Sequence, residues 1–333
     1  MKEAKFYEKF EGKQVKCNLC NHRCIIKNGS RGICNVRENN NGILFSLVYG
    51  KVIAQNIDPI EKKPLFHFHP GSKTYSIATE GCNFKCLHCQ NFNISQKKNN
   101  DIIGKNISPE DIVKNAIQED CKSIAYTYTE PTIFYEYAYD IAKIASKKKL
   151  KNIFVTNGYI TKEALEMISP YLNGGNIDLK GMTNSFYRSI CKAKLDPVLD
   201  NIQLFHDLGI WIEITTLIIP GYNDRLDEIK KIAGFIKNVD ENIPWHVKRF
   251  HPDYKFENCP STKIETLNNI IEIGKNEGLN YVYQGNIGKG EDTFCPKCKK
   301  LLIERNLINI SSKKIKNNHC LFCNEKISGI WDG

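Results

Sequence analysis

From about residue 74, the chain alternates short apolar runs with longer amphipathic stretches. The apolar runs predict seven strands, at 74–79, 122–129, 151–157, 175–180, 211–218, 244–250 and 279–285. Apolar positions at helical spacing predict six intervening helices, within 108–119, 131–148, 161–168, 196–209, 224–238 and 261–278. This alternation predicts a parallel sheet built from right-handed βαβ units. The count fits an open, partial (β/α)6 barrel better than a closed barrel of eight units.

Polar and glycine residues mark several predicted helix ends. Ser108 and Thr161 are predicted N-caps, and Asp111 completes a capping-box pattern with Ser108. Gly209 and Gly278 follow the last apolar positions of their helices, as C′ glycines do. In parallel α/β barrels, chemistry lies at the carboxyl ends of the strands. Polar residues at those ends are therefore the candidates for function.

Composition restricts the class of protein. The 333 residues are 41% hydrophobic and 25% charged, as in ordinary globular proteins. No apolar run approaches the roughly 20 residues of a membrane span, and the N-terminus lacks the apolar core of a signal peptide. We therefore expect a cytoplasmic protein with no membrane association. The net charge of +10 comes mainly from dispersed lysines, which favours a solvated surface over a concentrated nucleic-acid stripe.

Cysteines are the most informative residues of the chain. Of the 14 cysteines, eleven fall into three spaced groups. The groups are Cys17, Cys20, Cys24 and Cys34; Cys82, Cys86 and Cys89; and Cys295, Cys298, Cys320 and Cys323. In a reducing compartment, clustered cysteines are more often metal ligands than disulfides.

The central group lies in GCNFKCLHCQN (81–91), just after the first predicted strand, and has the spacing CxxxCxxC. Three thiolates can hold three irons of a [4Fe–4S] cubane and leave the fourth iron open, whereas an electron-transfer cubane usually has four cysteine ligands. The alternative is a partial zinc site, which the position in a first βα loop disfavours. This motif resembles that of the radical SAM superfamily, over roughly residues 75–285. The family often has an aromatic residue before the third cysteine, where this chain has His88.

The resemblance implies reductive cleavage of S-adenosylmethionine (SAM) at the cluster and hydrogen abstraction from a substrate. It also implies a low-potential electron donor such as ferredoxin or flavodoxin. In TYTEP (127–131), Thr129 and Glu130 resemble the residues that hold the SAM amino group, although the family's glycines are missing. A carboxylate at a strand end suits an ammonium group. The alternative is an incidental acid before a helical Pro131.

Further matches are to the glycyl-radical-enzyme activases. Asp178 and Lys180 in DLK match their DxK, which implies contacts with the SAM carboxylate and ribose. Their alternation would direct both side chains into the barrel. The segments IIPGYND (218–224) and RFH (249–251) are also similar. Cys191 is a candidate substrate-side thiol and His251 a candidate contact to adenosine or substrate, and for both a structural role is the alternative.

Over the whole chain, the sequence resembles the AmmeMemoRadiSam group. The matching segments are CNLCNHRC (17–24), DPIEKKPLFHFHPGS (58–72) and YQGNIG (283–288). This resemblance implies the fold and the SAM chemistry but no particular substrate. A protein glycyl site, an RNA nucleotide and a small molecule all stay open. A non-catalytic, zinc-organised nucleic-acid-binding protein is the alternative from a different class.

The flanking cysteine groups predict small metal-binding appendages. The motifs CPKC and CLFC stand 21 residues apart, close to zinc-ribbon spacing, and predict a structural zinc that staples the fold or supports a docking surface. For the irregularly spaced N-terminal quartet, a closed zinc site is the first choice and an auxiliary iron–sulfur cluster the alternative. The predicted domains are therefore a Cys-rich segment at 1–60, the barrel at 61–290 and a ribbon-like segment at 291–333.

Overall fold

The computed structural model describes residues 1–96, 101–288, 291–306 and 309–331. Seven parallel strands form its central sheet and are numbered here in chain order. They are β1 (Lys73–Ala78), β2 (Ser123–Tyr126), β3 (Lys151–Thr156), β4 (Gly174–Asp178), β5 (Trp211–Ile218), β6 (Trp245–Arg249) and β7 (Val282–Gly285). Neighbours in sequence are neighbours in the sheet, and every pairing among them is parallel.

One long helix connects each strand to the next. The helices are α1 (Pro109–Gln118), α2 (Tyr135–Lys147), α3 (Lys162–Ile168), α4 (Asp196–Asp207), α5 (Leu226–Val239) and α6 (Ile264–Asn276). Since β1 and β7 do not pair with each other in the described residues, the sheet stays open. The prediction of a partial (β/α)6 barrel is therefore confirmed, and β7 is the last of its seven parallel strands.

Burial explains why these segments form a parallel sheet. All four residues of β2 are buried, as are the last five of β1, and strands covered on both faces read as continuous apolar runs. Each of the longer helices α1, α2, α4, α5 and α6 buries one apolar stripe, for example Ile112, Val113 and Ala116 of α1.

The predicted helix ends are mostly confirmed. Ser108 Oγ accepts a hydrogen bond from Asp111 N at 3.1 Å, as a capping box requires. Gly209 and Gly278 adopt φ values of +70° and +102°, which L-residues with a side chain rarely adopt. Thr161 occupies the N-cap position of α3, but its hydroxyl donates to Asn18 O at 2.8 Å instead of capping the helix. Its side chain therefore ties the barrel to the N-terminal segment.

An eighth strand, Ala54–Pro59, pairs antiparallel with β1 and forms the edge of the sheet. The sequence did not predict this strand, because three of its six residues, Gln55, Asn56 and Ile57, are exposed and interrupt the apolar pattern. This strand belongs to the barrel sheet, although its residues precede the predicted domain boundary at residue 60. The division into 1–60, 61–290 and 291–333 stays a prediction.

The N-terminal segment folds into small antiparallel sheets against the barrel. Its strands are Lys2–Glu3, Tyr7–Lys9, Val15–Cys17, Ile25–Ile26, Arg37–Asn40, Ile43–Ser46 and Lys51–Val52, the last pairing with Lys105–Asn106.

Short helical turns occur along the chain at Glu11–Lys13, Ile60–Lys62, Phe92–Ser95, Pro131–Phe134, Ser169–Tyr171, Asn184–Phe186 and Tyr254–Phe256, with a π-helical turn at Tyr187–Cys191.

The C-terminal segment packs against the barrel. Its strands are Thr293–Phe294, Leu301–Asn306, Asn309–Lys313, Ile315–Lys316 and His319–Cys320. Leu302 and Ile303 share an apolar cluster with Phe66 and Tyr283 of the barrel. His67 forms two hydrogen bonds of 2.7 Å, with Ser328 O and with the Tyr283 hydroxyl, which tie the C-terminal segment to the barrel. None of the described helices is long and apolar enough to cross a membrane.

Candidate active site

A cavity of about 300 Å³ opens at the carboxyl ends of the barrel strands. The residues that the sequence assigned to the cluster and to SAM line it, together with His88. They are Cys82, Cys86, His88, Cys89, Thr129, Glu130, Asp178 and Lys180. The strand ends thus converge on one site, as parallel barrels place their chemistry.

The loop with Cys82, Cys86 and Cys89 is held from two sides. Its backbone donates to the π-helical turn, from Lys85 N to Cys191 O at 3.0 Å and from Leu87 N to Ile190 O at 3.1 Å. Asn157, at the end of β3, donates to Asn83 Oδ1 at 2.8 Å. The three thiols therefore face the cavity from a fixed loop.

Glu130 is fully buried at the cavity wall and accepts four hydrogen bonds. Oε1 takes three, from Thr132 N, Thr132 Oγ1 and Thr156 Oγ1, and Oε2 takes one of 2.8 Å from Asn157 N. Burial raises the pKa of Glu130 while these donors oppose the rise. The carboxylate caps the turn Pro131–Phe134, and Oε2 keeps capacity for a further donor.

Asp178 and Lys180 form an ion pair at the carboxyl end of β4. The Lys180 Nζ to Asp178 Oδ2 distance is 2.7 Å, and the two side chains are 17% and 33% exposed. The strand ends at Asp178, two residues earlier than the sequence predicted, and Lys180 lies in the loop that follows. Asn223 of IIPGYND donates to Lys180 O at 2.8 Å and fixes this loop. Thr129 also lines the cavity, with its hydroxyl donating to Thr79 O.

Several buried polar atoms of the cavity wall lack a partner in the protein. His88 Nδ1, Asn176 Oδ1 and Thr215 Oγ1 form no hydrogen bond within the described structure. Burial lowers the pKa of His88 to about 3, so its ring is neutral at physiological pH. Unpaired buried polar atoms cost free energy, and a polar ligand in this cavity would supply the missing partners.

Lys248, on β6, is a cavity residue that the sequence reasoning did not single out. No described residue forms a hydrogen bond or ion pair with its ammonium group, and burial lowers its pKa to about 8. The available signal was a lysine inside a strand whose preceding residues, Trp245 and Val247, are fully buried. An unpaired buried cation is suited to bind an anionic group.

Cys191 and His251 are not among the residues that line the cavity. Cys191 is fully buried, and its thiol interacts with that of Cys86, so it lies next to the cluster loop. His251 is exposed beyond the end of β6.

The C-terminal quartet is compact. The Sγ atoms of Cys295, Cys298, Cys320 and Cys323 all lie within 4.8 Å of one another, the arrangement that one metal ion requires. The N-terminal quartet surrounds a small separate cavity instead, and its sulfurs do not meet that distance.

Comparisons with known proteins agree with this site. Residues 76–236 match the family model described as the radical SAM superfamily. The chain contains a radical SAM domain. The fold of this radical SAM protein is also similar to that of Streptococcus suis SuiB, solved with S-adenosylmethionine, at a TM-score of 0.52 and 14% identity over 68% of this chain and 53% of that one.

Two further proteins are similar to this chain in sequence. An uncharacterized protein of Methanocaldococcus jannaschii is 48% identical over 98% of this chain and 99% of its own. The pyruvate formate-lyase-activating enzyme of Clostridium pasteurianum is 21% identical over 56% of this chain and 83% of its own. The radical SAM protein is therefore an enzyme, and its fold implies a [4Fe–4S] cluster and SAM. The non-catalytic alternative is wrong.

Proposed function

We propose that this enzyme reductively cleaves SAM at a [4Fe–4S] cluster held by Cys82, Cys86 and Cys89, and abstracts hydrogen from a substrate in the same cavity. The observation that carries the proposal is the convergence of three thiols, a buried acid and an ion pair on one cavity. A polar ligand such as SAM would supply partners for its unpartnered polar atoms.

The bound cluster would supply one electron to break the S–C5′ bond of SAM. The chain's own residues would bind and orient SAM. Glu130 Oε1 accepts three hydrogen bonds, whereas Oε2 accepts one from the described residues. Oε2 could therefore also accept a hydrogen bond from an ammonium group. Lys180, oriented by Asp178 at 2.7 Å, would donate to a carboxylate or ribose oxygen.

For the substrate, we favour an activase-like reaction, hydrogen abstraction from a glycine of a partner protein. The similarity to a named activating enzyme and the DxK at β4 support it. The unpaired Lys248 favours a second candidate, a small anionic molecule bound directly in the cavity. The electron donor would be a low-potential protein of the ferredoxin or flavodoxin class.

We also propose that the C-terminal quartet holds a structural zinc. The Sγ atoms of Cys295 and Cys323 are 3.6 Å apart, and those of Cys298 and Cys320 are 3.8 Å apart. Four sulfurs about 2.3 Å from one tetrahedral zinc lie about 3.8 Å from each other. Because all four positions are filled, this site would have no open coordination position.

Electron paramagnetic resonance of the anaerobically reconstituted, reduced enzyme tests the proposed function. Addition of SAM should change the spectrum of the central cluster, because an open iron can bind the amino and carboxylate groups of SAM. A spectrum that saturating SAM leaves unchanged would contradict the proposal.

A further inference from the structure

The three cysteine groups differ in the spacing of their sulfur atoms. In the described part of the chain, the C-terminal quartet is the one group of three or more metal-ligating side chains whose ligand atoms all lie within 4.8 Å. The central three thiols, which face the proposed cluster site, are more widely spaced. The N-terminal quartet, Cys17, Cys20, Cys24 and Cys34, is also more widely spaced.

The N-terminal spacing does not suit a single zinc ion. Tetrahedral zinc would bring all four sulfurs to about 3.8 Å from each other, as the C-terminal pairs at 3.6 and 3.8 Å nearly are. In an iron–sulfur cluster each thiolate binds a different iron, so the sulfurs stand apart by the width of the core. All four N-terminal cysteines line one small cavity, so their side chains converge on a common space although their sulfur atoms are not drawn together around a single point.

A buried donor faces the same cavity. Arg37 is 2% exposed and lines the space between the cysteines. Its terminal nitrogens bind Glu136 at 2.9 Å each and Lys5 O at 3.0 Å, but its Nε has no partner. A buried N–H without an acceptor is costly, and a sulfur of an anionic cluster would satisfy it.

From these observations we infer that Cys17, Cys20, Cys24 and Cys34 hold an auxiliary [4Fe–4S] cluster, which passes electrons to the central cluster site. The assignment of the cluster rests on the quartet alone. The relay rests on the proposed function.

The quartet lies directly behind the central cluster loop. His22, between Cys20 and Cys24, forms a 2.8 Å hydrogen bond through Nε2 with Asn83 O, next to Cys82. Gly81 must be glycine here, because a Cβ at this residue would lie 2.6 Å from Val36 Cγ1 and 2.9 Å from Cys34 O. One imidazole ring and one hydrogen bond therefore join the two cysteine loops.

The quartet also reaches the surface. Cys24 is partly exposed, and its neighbours in the fold, Ile25 and Ile33, are 67% and 46% exposed. A reduced low-potential flavoprotein or ferredoxin could thus deliver one electron to the quartet cluster and become oxidised by one electron. The quartet cluster would return to its oxidised form as that electron moves to the central site, so each SAM cleaved consumes one electron from the donor.

Metal analysis and Mössbauer spectroscopy of the full-length, anaerobically reconstituted wild type test the cluster without any substitution. We expect roughly eight irons per chain, four for each [4Fe–4S] cluster, and about one zinc. The Cys24→Ala/Cys34→Ala variant should lose about four irons and keep its zinc, whereas the matched control Cys298→Ser should lose zinc and keep all its iron. About four irons with two zincs in the wild type would overturn the inference and leave the proposed function standing. Eight irons with no SAM-dependent spectral change would do the reverse.

Rates of SAM cleavage with two reductants test the relay. In the Cys24→Ala/Cys34→Ala variant, cleavage driven by reduced flavodoxin should fall at least tenfold. Cleavage driven by dithionite, which is small enough to reach the central site, should stay within about twofold of wild type. An equal loss with both reductants, or no loss with flavodoxin, would overturn the relay.

Discussion

Asp178→Asn removes one charge from the ion pair at the cavity mouth and changes the side-chain volume very little. Asp178 holds Lys180 Nζ at 2.7 Å, so the substitution should release the ammonium from the position in which it would donate to SAM. A charge-assisted hydrogen bond contributes on the order of 1.5–3 kcal/mol, which corresponds to about ten- to hundredfold in SAM affinity. The pair is partly exposed, and such pairs stabilise folding by about 1 kcal/mol or less. SAM binding should therefore weaken far more than folding.

Calorimetric titration of SAM into anaerobically reconstituted protein, without reductant, measures the first quantity, and thermal melting measures the second. Glu272→Gln is a matched control, because it breaks an exposed ion pair of 2.9 Å to Lys275 on α6, away from the cavity. The control should leave the Kd for SAM unchanged. An Asp178→Asn variant whose Kd also stays within twofold of wild type would refute the role assigned to this ion pair.

Three further substitutions test other parts of the account. Glu130→Gln places its amide NH2 against one of the two backbone donors, Thr132 N or Asn157 N, so we expect weaker SAM binding and a loss of about 1–3 kcal/mol in folding stability, and unchanged values in denaturant unfolding and SAM titration would contradict this. Lys248, whose pKa is lowered to about 8, is cationic below that pH and neutral above it, so the advantage of wild type over Lys248→Met in binding a small carboxylate such as acetate should shrink between pH 7 and 9; an advantage that grows with pH would contradict the role of Lys248 as an anion-binding residue. Cys320→Ser should remove one zinc and make residues after about 294 protease-sensitive while SAM cleavage persists, whereas iron at that quartet would overturn the zinc assignment.

The sequence predicted the barrel well because its strands are buried on both faces. Continuous apolar runs such as β2 have few alternatives to a parallel strand, and the helices between them carry one apolar stripe each. The edge strand Ala54–Pro59 escaped prediction because its solvent-facing side chains break the apolar pattern. The π-helical turn Tyr187–Cys191 also escaped, since its backbone is set by contacts with the cluster loop rather than by its own residues.

The candidate site could be predicted where chemistry dictates spacing along the chain. Cysteines three or four residues apart on one loop and charged residues at a strand end are visible in sequence. Lys248 was not recognised, because its position relative to the cavity depends on how β6 lies against β5. For the N-terminal quartet, the sequence favoured zinc over the iron–sulfur cluster inferred above, because sequence spacing does not give the distances between sulfur atoms.

The production of 5′-deoxyadenosine and methionine from SAM tests the central claim most directly. The measurement compares anaerobically reconstituted wild type, given a low-potential reductant, with the variant in which Cys82, Cys86 and Cys89 are all changed to Ala. Zinc content serves as the control for folding of the C-terminal segment. The account predicts cleavage by the wild type and none above background by the variant, with zinc unchanged. Normal cleavage by the triple variant would contradict it.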